Sequence, residues 1–219
     1  MLFIVPGTTV FDKEGNEYLV EQLIGTGGFG QVFKIKAKID GEIYALKTLS
    51  FGFSDGMHLE SFLNEGNAAT LIAHDNVVRY LYFHDGKQYK ELPPYIIMEY
   101  TPDGTLEDYT KKNAIADRLI DNSDLKGLFI QLIEGMKVIN SRLIHRDIKP
   151  SNILLFGDIL KIADFGLSKI VEDNTRTMTF KGGGTCMYMS PEAWKLEKNT
   201  IQITTVPLKK TGQTNNTVI

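Results

Sequence analysis

Residues 145–166 constrain this chain more than any other part of it. The run His145–Asn152 contains a candidate base, Asp147, and ends on Asn152, whereas Asp164 opens the sequence Asp-Phe-Gly. Two short apolar runs, 153–155 and 159–163, lie between Asn152 and Asp164 and meet at Gly157-Asp158, a pattern that predicts a β-hairpin. Such a hairpin would bring Asp164 back beside Asn152. For any one of these residues alone, a solvated hairpin with acidic turn residues is the better interpretation, but the combination favours a site.

The predicted neighbours Asn152 and Asp164 both carry side-chain oxygens. Hard cations such as Mg²⁺ take oxygen ligands and commonly share them with the phosphates of a substrate. The hairpin therefore predicts a magnesium site.

Five motifs, in one order along the chain, resemble those of the protein kinase superfamily. They are the glycine-rich run 24–32, Tyr44–Lys47, His145–Asn152, Asp164–Gly166 and Gly184–Glu192. A glycine-rich run alone is weak, because dinucleotide-binding folds share it. The resemblance implies an α+β, two-lobed kinase-like fold, with a small antiparallel β lobe carrying one main helix and a mainly helical large lobe.

Periodicity and turn residues give a matching outline of the elements. Strands are predicted at 9–11, 18–24, 31–37, 43–49, 77–83 and 95–99. A helix is predicted from Leu59 to Ala73, although Gly66 weakens it, and a second helix follows Ser123 as a plausible N-cap. The break at Pro102-Asp103-Gly104 marks the predicted boundary between lobes.

These features divide the chain into a small lobe at 1–100, a partial large lobe at 101–198 and an atypical tail at 199–219. The last 20 residues contain six threonines and no aromatic residue, and this tail is predicted to be disordered. The family resemblance fades after about Lys198, so the large lobe is expected to be truncated after Ser190-Pro191-Glu192. A frameshift or a faulty gene model is the other explanation for the tail.

Composition excludes little. The chain has 219 residues, 42% of them hydrophobic and 23% charged, with a net charge of −3 that gives no reason to expect nucleic-acid or membrane binding. Its single cysteine, Cys186, rules out an intrachain disulfide and fits a reducing compartment. The opening apolar run is cut by Pro6-Gly7 and is too short to span a membrane. A cytoplasmic location is predicted.

The resemblance implies an ATP site. Gly25, Gly27 and Gly30 would let backbone amides approach the phosphates, although a mobile hairpin turn is the alternative for these glycines. Around the adenine, backbone groups of Glu99 and Thr101 would hold the base, while plain core packing is as good an interpretation for each apolar residue. The full set of nucleotide contacts implied is Ile24, Gly25, Gly27, Gly30, Val32, Ala45, Lys47, Met98, Glu99, Thr101 and Leu154.

Lys47 lies in an apolar strand, where a buried unpaired ammonium would be costly. The resemblance implies that it pairs with a helix glutamate and with the α and β phosphates. Glu60 and Glu65 compete for this role. The run His74-Asp-Asn-Val-Val resembles the family's His-Pro-Asn-Ile-Val, and the position of Glu65 nine residues before it implies that Glu65 is the partner. A solvated helix face is the alternative interpretation of Glu65.

The resemblance also assigns the catalytic groups. Asp147 would orient the acceptor hydroxyl and take its proton, and Lys149 would steady the γ-phosphate. Lys149 and Thr185 are typical of serine/threonine kinases, and His145 is expected to pack under Phe165. Arg146 would pair with a phosphate on the activation loop, at Thr175, Thr177 or Thr179.

The sequence thus predicts a serine/threonine protein kinase that transfers the γ-phosphate of ATP, with Mg²⁺, to a protein hydroxyl. Its expected partners are a nucleotide and a protein with a serine or threonine acceptor. The expected truncation predicts weak activity of this chain. The alternative is a catalytically silent, pseudokinase-like module that binds a protein partner through exposed large-lobe surface.

Overall fold

In a computed structural model, the chain is a mixed α+β protein, with a six-stranded antiparallel sheet followed by helices and a β-hairpin. The structure describes residues 3–27, 30–49, 56–69, 72–165, 169–170, 177–178, 188 and 203–204. The strands are β1 Thr9–Phe11, β2 Glu17–Gly27, β3 Gly30–Ala37, β4 Ile43–Thr48, β5 Tyr80–His84, β6 Tyr95–Glu99, β7 Leu143–Ile144, β8 Ile153–Phe156, β9 Ile159–Ile162, β10 Lys169–Ile170, β11 Thr177–Met178 and β12 Ile203–Thr204. The α-helices are α1 Gly56–Ala69, α2 Leu106–Ile115 and α3 Asn122–Asn140.

The sheet has the order β1-β2-β3-β4-β6-β5, and every pairing in it is antiparallel. Alternate residues of β3 are buried, as expected for a strand with one face on the core. Tyr95, the first residue of β6, is fully buried, and its hydroxyl accepts from the Phe11 amide at 3.1 Å while donating to the Phe11 carbonyl oxygen. This side chain therefore ties the edge strand β1 to β6, which lies beside the opposite edge strand of the sheet.

Helix α1 packs on this sheet through close contact between its backbone and an aromatic ring. Phe62 and Ala68 are buried, and Phe62 lies 6.3 Å from Phe83, centroid to centroid. A Cβ on Gly66 would collide with the ring of Phe83. Gly66 weakened the helix in the sequence pattern, yet the packing explains it, because only glycine lets the helix approach Phe83.

Two features of the helical region differ from the sequence expectation. Helix α2 was not predicted; it begins with a capping box in which Thr105 and Asp108 bond each other's backbone amides. Ser123 is not the N-cap of α3: the cap is Asp121, whose carboxylate accepts from the Ser123 amide at 3.2 Å. Asp and Ser are comparable caps, so the sequence alone could not choose between adjacent polar residues.

The predicted strand at 77–83 was placed too early. The strand is β5, from Tyr80 to His84, whereas Val77 and Val78 bond to β9 instead: Val77 forms a parallel bridge with Ile162, and the Val78 amide donates to the Ile162 carbonyl at 2.9 Å. The Val78 amide is therefore bonded to the hairpin rather than to the sheet, while the Val77 amide donates to the His74 carbonyl at 3.0 Å.

The predicted hairpin between Asn152 and Asp164 is confirmed. Strands β8 and β9 pair from Ile153↔Ile162 to Phe156↔Ile159, and Gly157 supplies the positive φ of 61° that the turn requires. The remaining short pairs are β7 with β10 and β11 with β12. The last of these includes Ile203–Thr204, the part of the predicted tail that the structure describes.

Among the described residues, no helix has the length and apolar character needed to cross a membrane.

Candidate active site

A cleft of about 610 Å³ lies between the sheet and the β8–β9 hairpin, within the size range of small-molecule sites. Ten of the eleven predicted nucleotide contacts line it: Ile24, Gly25, Gly30, Val32, Ala45, Lys47, Met98, Glu99, Thr101 and Leu154. The eleventh, Gly27, ends β2, where its backbone pairs with Gly30 of β3. Residues distant in sequence thus share one cavity.

The walls of the cleft are apolar where an adenine is expected. Ala45 and Met98 are buried in one cluster, with Val32 and Leu154 packed against it. At the glycine-rich end, a Cβ on Gly30 would collide with the Thr48 carbonyl oxygen, so this position accepts only glycine without backbone movement. The apolar walls and the close approach of Gly30 to the backbone of Thr48 therefore belong to the same cleft.

Lys47 lies at the inner end of the cleft between two carboxylates. Its Nζ is 2.9 and 2.7 Å from Glu65 Oε1 and Oε2, and 2.9 Å from Asp164 Oδ1. Lys47 and Glu65 are both buried, whereas Glu60 is exposed. Of the two competing glutamates, Glu65 is the one that pairs with the lysine.

Burial and neighbouring opposite charges act on the pKa values of Lys47 and Glu65 in opposite directions. Burial alone would lower the pKa of Lys47, but the carboxylates of Asp164 and Glu65 outweigh it and raise the pKa above its ordinary value. Burial raises the pKa of Glu65, against the lowering effect of Lys47. Lys47 is therefore firmly cationic, and Glu65 depends on it to remain ionised.

Asp147, Lys149 and Asn152 form a second cluster near the same cleft. Lys149 Nζ is 2.8 Å from Asp147 Oδ2, and Asn152 Nδ2 donates to that oxygen at 3.0 Å and to the Asp147 carbonyl at 2.9 Å. Asp147 and Asn152 are buried, with 6% and 7% of their surface exposed, so few orientations are open to the carboxylate. The 3₁₀ turn Pro150–Asn152 places Asn152 directly before β8.

Asn152 and Asp164 meet where the hairpin closes. The Ala163 amide donates to the Asn152 carbonyl at 2.9 Å, which puts Asp164 next to Asn152, and Asp164 has a positive φ of 67°. Both of these hydrogen bonds from Asn152 to Asp147 use Nδ2, so neither occupies the Asn152 Oδ1. The pair fits a cation that keeps several water or phosphate ligands, as Mg²⁺ does. No group of three or more His, Cys, Asp or Glu suited to a metal occurs among the described residues.

Aromatic rings pack beside the segments that carry Asp147 and Asp164. The His145 ring lies 5.2 Å from that of Phe165, as the sequence indicated, and the Phe165 ring lies 5.7 Å from that of Tyr80. His145 Nε2 is 3.1 Å from the Ala163 carbonyl, and the Asp147 amide donates to Nδ1 at 3.3 Å. The pKa of His145 is lowered by burial, which fits a neutral ring that donates through Nε2.

Several residues that line the cleft were not predicted from the sequence: Thr26, Tyr80, Tyr100, Pro102, Gly104, Thr105, Asp108, Ser151 and Ala163. Most of them neighbour a predicted residue, so adjacency was the available signal. Tyr80 had none; its hydroxyl is 3.5 Å from Glu65 Oε1, and only the folded sheet brings them together.

Some predicted residues lie outside the described part of the chain. These are Thr185, Thr175 and Thr179, together with the side chain of Thr177. Arg146 is described: its φ is 70°, and its Nε and Nη2 are buried without a hydrogen-bond partner among the described residues.

Comparison with known proteins agrees with this geometry. The family model described as protein kinase domain matches residues 18–204. The interferon-induced, double-stranded RNA-activated protein kinase of Rattus norvegicus is 34% identical over 201 residues, which cover 84% of this chain and 37% of the relative. The serine/threonine-protein kinase Nek2 of Homo sapiens is 33% identical over 188 residues (82% and 41%). The probable serine/threonine-protein kinase nek2 of Dictyostelium discoideum is 33% identical over 182 residues (81% and 43%).

The chain belongs to the protein kinase domain family. It spans less than half of the length of each of these relatives. The Lys47–Glu65 salt bridge resembles the lysine–glutamate pair of kinases, and the relatives' names support a serine/threonine kinase, ATP-binding and transferase assignment at the level of the family.

Proposed function

We propose that this chain is the nucleotide-binding and catalytic part of a serine/threonine protein kinase that uses ATP and Mg²⁺. The observation that carries the proposal is the position of Lys47, held between Glu65 and Asp164 at the inner end of a cleft that also contains Asn152 and Lys149. A fixed cation beside two candidate metal ligands is the arrangement that phosphoryl transfer requires.

In this proposal the adenine lies between Ala45 and Leu154, and its edge bonds to backbone groups of Glu99 and Thr101. The glycine-rich turn that contains Gly25 covers the phosphates. Lys47 donates to the α- and β-phosphate oxygens, where its charge is retained because the pKa is raised.

Asn152 and Asp164 would hold Mg²⁺, which supplies charge neutralisation on the phosphate oxygens. Asp147 accepts the hydrogen bond of the acceptor hydroxyl and takes up its proton as the new bond to the γ-phosphorus forms and the bond from that phosphorus to the bridging oxygen breaks, so that ADP leaves. Lys149, 2.8 Å from Asp147 Oδ2, is placed to balance negative charge at the γ-phosphate. Thr185, outside the described residues, is proposed to border the acceptor site on the family pattern.

Nucleotide binding is tested by thermal-shift titration with ATP and Mg²⁺. The melting temperature of wild type should rise with nucleotide concentration, and this rise should be smaller in both Lys47→Met and Asp164→Ala. Binding that survives unchanged in both variants would contradict the proposed site.

Acceptor class is tested separately, on a generic protein substrate with phosphoamino-acid analysis. We expect phosphoserine or phosphothreonine, with the signal abolished in Asp147→Asn. Predominant phosphotyrosine would contradict the serine/threonine assignment, which rests on Lys149, on Thr185 and on the names of the relatives.

Three further expectations remain proposals. Residues 1–100 and 101–198 form the two lobes; Arg146 receives a phosphate from Thr175, Thr177 or Thr179; and the protein works in the cytoplasm, an expectation that rests on its single cysteine. The buried Nε and Nη2 of Arg146 have no hydrogen-bond partner within the part of the chain that the structure describes, and this supports the second expectation, because a phosphate would satisfy them.

A second candidate function is a nucleotide-binding module that docks a protein partner. Four large apolar residues of α3 are at least 40% exposed: Leu125, Phe129, Ile130 and Ile133. Size-exclusion chromatography of Phe129→Glu/Ile133→Glu against wild type tests this candidate. Equal elution of both as monomers, with robust turnover by wild type, would remove it.

A further inference from the structure

The segment that joins β6 to α2 is attached to the β8–β9 hairpin by three of its side chains in alternation. We define residues 99–103 as the hinge segment. Glu99, Thr101 and Asp103 each bond to the hairpin, as alternate residues of an extended chain can when they face one side. Glu99 and Thr101 also line the cleft, so this attachment adjoins the proposed adenine site.

The first attachment is an ion pair that is largely shielded from solvent. Lys161 Nζ donates to Glu99 Oε1 at 2.9 Å and to Oε2 at 2.8 Å, and the two side chains are each 15% exposed. The Arg79 amide donates to the same Oε1 at 2.7 Å, and Lys161 Nζ lies 4.7 Å from the centre of the Phe156 ring. Both partners are thus fixed by additional contacts, unlike an ordinary surface pair.

The other two attachments are single hydrogen bonds, one from the hydroxyl of Thr101 and one to the carboxylate of Asp103. Thr101 Oγ1 donates to the Leu155 carbonyl at 2.5 Å, and Asp103 Oδ2 accepts from the Gly157 amide at 2.7 Å. The Leu155 amide in turn donates to the Gly104 carbonyl at 3.0 Å. Every second residue from 99 to 103 is therefore held by the hairpin that also carries Leu154, the proposed floor of the adenine slot.

We infer that Lys161, Thr101 and Asp103 are positioning residues that keep the hinge segment and the hairpin at the separation the nucleotide requires. A site already held in its bound shape loses less conformational freedom on binding, and this raises affinity. Lys161 and Asp103 do not line the cleft, so any effect they have on nucleotide affinity is indirect and passes through the hinge segment or through the hairpin that carries Leu154. The inference rests on the proposed nucleotide-binding function.

The experiment measures dissociation constants and dissociation rates of a fluorescent ADP analogue with Mg²⁺, alongside melting of the unliganded protein. The variants are Lys161→Met, which keeps the aliphatic stem, Lys161→Arg, which keeps the charge, and the near-isosteric Thr101→Val. Lys38→Met is the matched control, because it breaks the exposed Lys38–Glu17 pair on the sheet.

We expect Lys161→Met to weaken binding about fivefold, the factor that corresponds to roughly 1 kcal/mol, mainly through faster dissociation. Lys161→Arg should restore most of the affinity, Thr101→Val should weaken binding in the same direction, and Lys38→Met should match wild type. If Lys161→Met does not fold, Thr101→Val and Asp103→Ala decide by the same measurement.

A lower melting temperature with unchanged nucleotide affinity in these variants would show that the attachments are structural only and would overturn the inference. Wild type that does not bind the analogue at all would overturn the proposed function, and this inference with it. The two failures are therefore distinguishable.

Discussion

Gly135 of helix α3 lies so close to Asn76 that a Cβ on Gly135 would be 2.7 Å from the Asn76 carbonyl oxygen. Asn76 in turn donates through Nδ2 to the Leu160 carbonyl at 2.9 Å and to Gln131 Oε1 at 3.1 Å, and its carbonyl accepts from the Ile162 amide. The loop that follows α1 is therefore fixed to both α3 and the hairpin that carries the candidate metal ligands.

Because of this contact, we expect alanine to be less stabilising than glycine at position 135, the opposite of their intrinsic helix preference. Alanine is favoured over glycine in a helix interior by about 1 kcal/mol, yet Gly135→Ala should destabilise the protein because its methyl group meets the backbone of Asn76. Gly127→Ala, in the same helix with nothing within 4 Å of the added Cβ, should be neutral or stabilising. Urea unfolding measures both; a Gly135→Ala variant as stable as Gly127→Ala would refute the close approach.

The second prediction concerns the buried pair Lys47–Glu65. Lys47→Met leaves the Glu65 carboxylate buried without its cation, so we expect a large loss of stability, up to about 3–5 kcal/mol by analogy with other broken buried pairs. Adding Glu65→Leu should recover much of that loss without restoring nucleotide binding. Denaturant unfolding together with nucleotide titration separates the two effects.

The same variant should be sensitive to pH. Burial raises the pKa of Glu65, so the folded Lys47→Met protein takes up a proton that the unfolded chain does not hold until lower pH. Burial raises the pKa of Glu65 to about 7 even with Lys47 present, so the stability of Lys47→Met should increase as pH falls through that value towards the ordinary carboxyl pKa. A flat profile would show that Glu65 reaches solvent once Lys47 is removed.

His84 gives the third prediction, with the opposite sign. It is buried among Tyr82, Tyr89 and Tyr95, next to Asp85, and burial lowers the pKa of its ring. The unfolded chain therefore binds a proton that the folded chain excludes, and stability should fall as pH drops below about 6.5.

Comparison of urea unfolding at pH 7.5 and pH 5.5 measures this loss. In His84→Phe the part due to His84 should disappear, so its stability should change less with pH. An equal pH slope in wild type and His84→Phe would show that another group carries the dependence.

The fourth prediction tests the edge strand β1, which precedes the residues matched by the kinase family model. Tyr95→Phe leaves the Phe11 amide and carbonyl without their partner, so we expect a loss of about 1–3 kcal/mol. Tyr89→Phe is the matched control: its hydroxyl donates to the Asp12 carbonyl at 2.9 Å from a more exposed position, and its loss should cost less. A Tyr95→Phe variant as stable as wild type in chemical denaturation would mean that β1 is not anchored through Tyr95.

The sequence alone determined the features that depend on local pattern. Alternation and turn residues placed strands at 9–11 and 95–99, and Gly157-Asp158 predicted the hairpin that closes beside Asn152. The spacing of Glu65 from His74 also selected the glutamate that pairs with Lys47. In each case chain geometry within a short segment, or an ordered set of motifs, carried the information.

Only the tertiary structure decided the contacts between segments that are distant in sequence. It brought Tyr80 to Glu65, turned the side chain of Glu99 to Lys161, and set Gly135 against Asn76. No local propensity encodes these pairs, because each depends on how the sheet, the helices and the hairpin pack. Side-chain direction and close approach are properties of the packed core, and they appear only when the whole chain has folded.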